Sequence, residues 1–189
     1  MFFLHRPSEA RIRAFLEQQQ ASIYSYSHVG ASRDGVVPEG FSRDHNRIRL
    51  GAGGNTWIKA KEALRRWTMF DIPWVRLCSP DTPIEMGNTV AIAIQHFGFW
   101  SLNASRIVYL IDESRRFGFA YGTLKEHSES GEERFILEWN EDDSVNYDLF
   151  AFSKPNATLA RIALPLARNL QRQFAKQSMA AMVRATLDQ

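Results

Sequence analysis

The sequence predicts an α+β fold in which a curved antiparallel sheet of about six to seven strands wraps around one long C-terminal helix. Three observations lead to this prediction. Residues 74–153 contain strand-like segments that follow one another through short polar turns, a pattern typical of an antiparallel sheet. From Leu159 to Ala185, apolar residues recur every three or four positions, as in an amphipathic helix. No other predicted helix is long enough to cover the apolar face of such a sheet.

Length and composition indicate one globular domain and exclude several classes of function. The chain has 189 residues, of which 44% are hydrophobic and 23% charged, and its net charge is +2. This balance gives no concentrated basic face, so we expect no nucleic-acid partner. A single cysteine, Cys78, excludes an internal disulfide and a multi-cysteine zinc site, and no metal or cofactor is predicted. We expect a cytoplasmic protein, because there is neither a signal sequence nor an apolar run near the roughly 20 residues of a membrane span.

The first predicted element is a short helix outside the main body of the fold. Ser8 can cap this helix, which ends near Gln20. We therefore divide the chain into an N-terminal helical extension, residues 1–24, and a single domain, residues 25–189. An irregular connection rich in glycine and proline follows the helix and leads into the first strand, at residues 47–50.

A glycine-rich stretch, residues 51–54, joins this strand to a second helix. The helix has an apolar stripe formed by Trp57, Ala60, Leu64 and Trp67. A glycine-rich stretch between a strand and a helix is either a tight turn or a phosphate-binding loop. The third glycine of a nucleotide-binding motif is Thr56 here and a P-loop lysine is missing, so the sequence favours the turn.

Six further strands are predicted before the C-terminal helix, at residues 74–78, 89–96, 105–112, 116–125, 132–139 and 145–153. The fourth and fifth of these form a hairpin. In its first strand, Phe117, Phe119 and Tyr121 alternate with Gly118, Ala120 and Gly122. Glycine inside a strand lowers its stability and often marks a place where another group comes close to the backbone. We therefore expect another part of the protein or a ligand to contact the face of Gly118, Ala120 and Gly122, the glycine face of this strand. In the long helix that follows, Pro165 is expected to cause a kink or a restart.

A helix cannot fill the whole concavity of a curved sheet, so we expect a cavity that binds a small apolar or amphipathic molecule. The candidate ligand-binding residues are Tyr121, Glu133, His96, Tyr109, Trp139 and Phe135. The many aromatic rings fit either ordinary core packing or a cavity wall. If Glu133 shares the face of Phe135, burial raises its pKa unless it is paired, which is a mark of a working acid or base.

Two alternatives to ligand binding remain open. The groups His127, Glu129, Glu132 and Glu133 lie in or beside one hairpin turn, which is either solvated or a functional cluster. In an enzyme, Glu133 or His127 would be the catalytic candidates, as a general acid or base of a cyclase-like or hydrolase-like reaction. In a structural or partner-binding protein, the protein's own side chains would fill the cavity. The sequence indicates no oligomeric state.

Most of the chain, from about Tyr26 to Met182, resembles the DUF1990 family, also called UPF0548. The resemblance rests on three segments: VPEGFSRDHNRIRLGAGGNTWIKAKEALRRWTMF, RFGFAYGTLKEHSESGEERF and AFSKPNATLARIALPLARNLQRQF. The family has no established activity. The resemblance implies a helix-grip fold, similar to that of Bet v 1-like and START-like proteins, which bind lipids and other apolar ligands between sheet and helix. Because unrelated functions share one fold, the resemblance implies an architecture and not a reaction.

Overall fold

The computed structural model describes residues 1–96, 98–156 and 164–187. Its main element is one antiparallel sheet that is curled into a half-barrel. The strands are β1 (Phe2–Phe3), β2 (Ser42–Ala52), β3 (Val75–Leu77), β4 (Thr89–His96), β5 (Phe99–Asp112), β6 (Arg116–Thr123), β7 (Glu129–Trp139) and β8 (Ser144–Pro155). The helices are α1 (Glu9–Gln20), α2 (Gly53–Arg65) and α3 (Leu164–Thr186), with short 3-10 helices at Ala31–Asp34 and Thr68–Phe70. Seven strands lie in the order β2-β8-β7-β6-β5-β4-β3, and β1 pairs with β5.

The concave face of the sheet carries the main hydrophobic core. Alternation along β6 places Phe119 and Tyr121 on this face, where they pack against Phe135 of the neighbouring β7. Both α2 and α3 cover the same face, and α3 adds Ala175 and Met182 to the core. Each large apolar side chain that becomes buried contributes about 1.5–3 kcal/mol, so covering the concave face is a major source of stability.

The convex face of the sheet is covered by the N-terminal residues. Ile12 and Phe15 of α1 pack against small or aliphatic residues of β4 and β5 and the residue after β6, namely Ala91, Ala93, Leu102, Ala104 and Leu124. The short β1 pairs with Trp100 and Ser101, beyond the part of β5 that pairs with β6. The predicted short helix therefore lies on the outside of the sheet, whereas the division of the chain at residue 24 remains a prediction.

A buried carboxylate fastens the connection between α1 and β2 to the convex face. Glu132 is only 2% exposed and accepts hydrogen bonds from the Tyr26 hydroxyl (2.6 Å), the Gly30 N–H (2.7 Å) and the Ser32 N–H (3.0 Å). A Cβ atom at Gly122 would lie 2.1 Å from the Tyr26 hydroxyl oxygen. At Gly122, the close approach expected on the glycine face of β6 is thus the approach of Tyr26.

The observed strands extend beyond the predicted ones where polar residues hide the alternation. β2 begins at Ser42 and not at residue 47, and β5 begins at Phe99 and not at residue 105. The stretch 51–54 is the predicted strand-to-helix turn, with a positive φ of 81° at Gly53. Pro165 lies in the first turn of the described part of α3, where a missing N–H is tolerated, and residues 157–163 of the predicted helix lie outside the described residues.

Substituting Gly122→Ala should lower the free energy of unfolding by about 1–3 kcal/mol, because the new methyl group displaces Tyr26 from its bond to Glu132. In a Tyr26→Phe background the hydroxyl is gone, and the same Gly122→Ala substitution should cost less. Urea unfolding of the two single variants and the double variant measures this difference. Equal losses in both backgrounds would show that this contact does not explain the glycine.

Candidate functional site

A cavity of about 210 Å³ lies between the concave face of the sheet and α3. Most of its wall is apolar and comes from the second 3-10 helix, β3, β4 and α3, through Phe70, Trp74, Val75, Ile92, Ile94, Leu170 and Phe174. Trp74 donates a hydrogen bond from its Nε1 to Oε1 of Gln177 in α3 (2.9 Å), which links the helix to the apolar side of the cavity. A largely apolar hollow with few polar groups is the usual form of a small-molecule site.

One end of the cavity is polar, because strand pairing aligns side chains from four adjacent strands. Asp44 of β2 is paired with Ala151 of β8, and Ala151 is paired with Glu133 of β7. Glu133 is paired in turn with Tyr121 of β6. Neighbouring strands lie about 4.8 Å apart, so the backbones at Asp44 and Glu133 are separated by roughly 10 Å. Two carboxylates therefore face the cavity across the small side chain of Ala151.

Glu133 is a carboxyl group of this polar end whose pKa is strongly raised. Burial raises the pKa of Glu133 from its ordinary 4.5 to about 7, and the charges of Asp44 and Glu129 add to the rise. The Tyr121 hydroxyl opposes it by donating a hydrogen bond to Glu133 Oε2 (2.6 Å). Burial also raises the pKa of Tyr121 well above 10, so its hydroxyl stays protonated. Glu133 can consequently gain or lose a proton near neutral pH.

A second carboxylate, Glu129, connects the polar end to α3. Nε2 of Gln171 in α3 donates to Oε2 of Glu129 and to Oγ of Ser153 in β8 (3.0 Å). Burial raises the pKa of Glu129, while the hydrogen bonds from Ser153 and Gln171 and the charge of Arg168 lower it. These bonds hold α3 against the sheet at the polar end, so Glu129 serves the packing of the helix as well as the charge of the cavity.

Two histidines complete the cavity wall. His127 Nδ1 accepts a hydrogen bond from the Glu129 N–H (3.0 Å), so the proton of the neutral ring lies on Nε2. Burial lowers the pKa of His127 to about 4, which keeps the ring neutral at pH 7. His96 Nε2 is buried and has no hydrogen-bond partner in the described part of the chain, while the His96 ring stacks on Phe2 and contacts Phe99 at a tilt. Burial lowers the pKa of His96 as well.

Four of the predicted site residues line this cavity: Tyr121, Glu133, His96 and His127. Glu133 does share the concave face with Phe135 and Leu137, as its place in the alternation required. The hairpin cluster is split by the sheet, because Glu132 faces the convex side and Glu133 the cavity. Their roles as ligand-binding or catalytic groups remain proposals.

The other three predicted ligand-binding residues do not line the cavity. A β-bulge between Ile107 and Tyr109 reverses the alternation of β5, so Tyr109 lies on the convex face with its hydroxyl 2.8 Å from Ser32 Oγ. Trp139 packs against Trp57 of α2 at the opposite end of the sheet. Phe135 is fully buried in the core under Phe70 and Tyr121, so it supports the cavity without facing it.

Sequence reasoning missed Asp44, Ser153 and Gln171 as parts of the site. Asp44 lies in the polar run SRDHNR, which has no apolar alternation, and it precedes the first predicted strand at residues 47–50. Among the described residues, no group of three or more His, Cys, Asp or Glu side chains is placed to hold a metal ion. None of the helices in the described part of the chain is long and apolar enough to cross a membrane.

Comparisons with known proteins identify relatives over nearly the whole chain. A family model described as a domain of unknown function, DUF1990, matches residues 25–181. A UPF0548 protein of Deinococcus radiodurans is 38% identical over 196 residues, which cover 98% of each chain.

Solved structures provide an independent comparison of the fold. A hypothetical protein of Helicobacter pylori, jhp0584, superimposes with a TM-score of 0.54 at 11% identity, over 88% of this chain and 99% of that one. A point mutant of norcoclaurine synthase from Thalictrum flavum, solved with a transition-state analogue, gives a TM-score of 0.50 at 9% identity, over 80% and 100% of the two chains. At such identities the likeness concerns the fold alone, and it confirms the helix-grip architecture.

The raised pKa of Glu133 predicts a pH-dependent contribution to stability that Glu133→Gln removes. A carboxyl group whose pKa is higher in the folded than in the unfolded state destabilises the fold as pH rises between those two values. Between about pH 4.5 and pH 7, the free energy of unfolding of the wild type should fall by on the order of 2 kcal/mol relative to that of Glu133→Gln. This is less than the full pKa shift implies, because Glu133 is partly exposed to solvent.

Urea unfolding at several pH values measures this difference. Glu138→Gln is the matched control, since it removes one carboxylate of the same strand from its ion pair with Arg47, away from the cavity. A difference between wild type and Glu133→Gln that stays constant from pH 4.5 to pH 7 would contradict the burial of this carboxyl group.

Proposed function

We propose that this chain, which belongs to the DUF1990 family, encloses one small and mainly apolar molecule between its sheet and α3, with the polar part of that molecule at Glu133 and Tyr121. The observation that carries the proposal is the cavity of about 210 Å³, apolar along most of its wall and polar at one end. An apolar cavity of roughly 150 Å³ is large enough for benzene. A ligand with one ring or a short acyl chain and a polar group therefore fits this cavity.

The chemistry of the wall supports the division of the ligand into an apolar and a polar part. Ile92, Ile94 and Phe174 offer no hydrogen-bonding groups, so they favour hydrocarbon, which gains about 25 cal/mol per Å² of surface removed from water. Glu133 and Tyr121 can orient a polar group by hydrogen bonds. The open volume argues against the alternative that the protein's own side chains fill the core.

Catalysis in the same cavity is a second candidate, favoured by one observation. A carboxyl group with a pKa of about 7 can act as a general acid or base at neutral pH, and Glu133 has this property beside the open volume. Neutral His127, with its proton on Nε2, would be a hydrogen-bond donor to a bound carbonyl oxygen. An enzyme of this kind loses turnover in Glu133→Gln but still binds its substrate, whereas a pure binding protein shows no turnover in either form.

Filling the cavity should weaken ligand binding. Ala151 lies between Asp44 and Glu133, and Ala151→Phe places a ring in the open volume. The control is Ala10→Phe, the same substitution on the exposed surface of α1. Native mass spectrometry of the purified protein and titration with a fluorescent apolar probe measure binding, and near-UV circular dichroism verifies the fold.

We expect the wild type and Ala10→Phe to retain or accept a small molecule, and Ala151→Phe to bind at least about tenfold more weakly because the volume is occupied. Two results would contradict the proposal: a wild-type protein that neither carries a molecule nor takes up the probe, or equal binding by Ala151→Phe.

A further inference from the structure

We propose that the polar group of the ligand is a protonated nitrogen, so that the site takes a compact aromatic or aliphatic amine and rejects carboxylates and phosphates. This inference rests on the proposed function, because it concerns the same cavity. It adds the sign of the ligand's charge, which the fold leaves open.

The charged residues around the cavity favour a cation. Among the described residues that line it, the acidic ones are Asp44, Glu129, Glu132 and Glu133, and there is no lysine or arginine. Glu132 is turned to the convex face, where Tyr26, Gly30 and Ser32 donate to it, so three carboxyl groups remain for a ligand. An anion placed among them would be repelled in a poorly solvated environment, where charges interact more strongly than in water.

Arg168 of α3 is an arginine whose charge acts on one of these carboxylates, Glu129, but it leaves the cavity lining acidic. Its guanidinium donates to the Ser42 hydroxyl and is an exposed group, and its charge acts on Glu129. The charge of Arg168 lowers the pKa of Glu129, whereas the charges that act on Glu133 are those of Asp44 and Glu129. Asp44 and Glu133 are left as the acidic groups without a described cationic partner.

The unused acceptor atoms match the donors of an ammonium group. Glu133 accepts one hydrogen bond, from Tyr121 on Oε2, and Asp44 accepts one, from Asn46 Nδ2 on Oδ1 (2.8 Å). Within the described part of the chain, Glu133 Oε1 and Asp44 Oδ2 have no donor. A primary ammonium carries three N–H groups and no acceptor, so it can donate to both carboxylates at once.

His96 is an independent sign that a ligand completes this site. Its Nε2 atom is buried in the cavity wall and has no hydrogen-bond partner among the described residues, although buried polar atoms are nearly always paired. A second polar group on the ligand would satisfy it. Phe70, Trp74 and Phe174 provide an aromatic wall for the ligand's apolar part, so a ring with a short amine-bearing arm fits the cavity best.

Binding of an ammonium must be linked to the ionisation of Glu133. The groups that face this carboxyl are Asp44 on β2, Glu129 on β7, Tyr121 on β6 and His127 in the β6–β7 turn, while α3 contributes the uncharged Gln171. The cation stabilises the ionised form of Glu133, whose pKa is about 7. At pH 7 the amine should therefore displace up to about half a proton into the buffer.

Isothermal titration calorimetry with three probes of similar size tests the inference: 2-phenylethylamine, 2-phenylethanol and 3-phenylpropanoate. We expect the amine to bind at least about tenfold more tightly than the alcohol, and the carboxylate to bind most weakly. Titrations in buffers of different ionisation enthalpy should show proton release for the amine and none for the alcohol. Both Glu133→Gln and Asp44→Asn should lose most of the preference for the amine, whereas Glu138→Gln should keep it.

The outcomes separate this inference from the proposed function. If the alcohol binds as tightly as the amine, or if Glu133→Gln and Asp44→Asn keep the preference, the inference is overturned and the apolar cavity still stands. The same holds if none of the three probes binds while the fluorescent apolar probe does. If no probe of either kind binds, both the inference and the proposed function are overturned.

Discussion

The rest of the structure depends on one interaction, the packing of α2 and α3 against the concave face of the sheet. A half-barrel exposes a continuous apolar surface to one side, and that surface is stable only when other elements bury it. α2 fills one end through the contact of Trp57 with Trp139. At the other end Gln171 fastens α3 to the sheet through its bonds to Glu129 and Ser153, and a cavity remains beside this contact.

The two faces of the sheet give neighbouring acidic residues different hydrogen-bond partners. Glu132 and Glu133 are neighbours in sequence, yet the alternation of β7 directs them to opposite sides. On the convex side Glu132 receives several donors and fastens the chain segment around Tyr26. On the concave side Glu133 receives one donor, and burial raises its pKa. Among the described residues, Glu133 is therefore the less satisfied of the two carboxylates in hydrogen bonding.

Local patterns in the sequence predicted the order of elements and part of the site. The alternation of β6 and β7 was sufficient to place Tyr121 and Glu133 on one face, and the glycine at position 122 indicated a close contact on the other. The error at Tyr109 has a definite cause, since one extra residue in a bulge shifts all later side chains to the opposite face. Asp44 was missed because a strand of polar residues lacks the apolar signal that identifies strands.

Xenon binding provides the most direct test of open space beneath α3, because xenon enters apolar cavities of this size without needing hydrogen bonds. A crystal of the protein under xenon pressure should show a xenon atom between Ile92, Ile94 and Phe174. A crystal in which xenon is absent from this position, with Phe70 and Phe174 closed over the volume, would contradict the account.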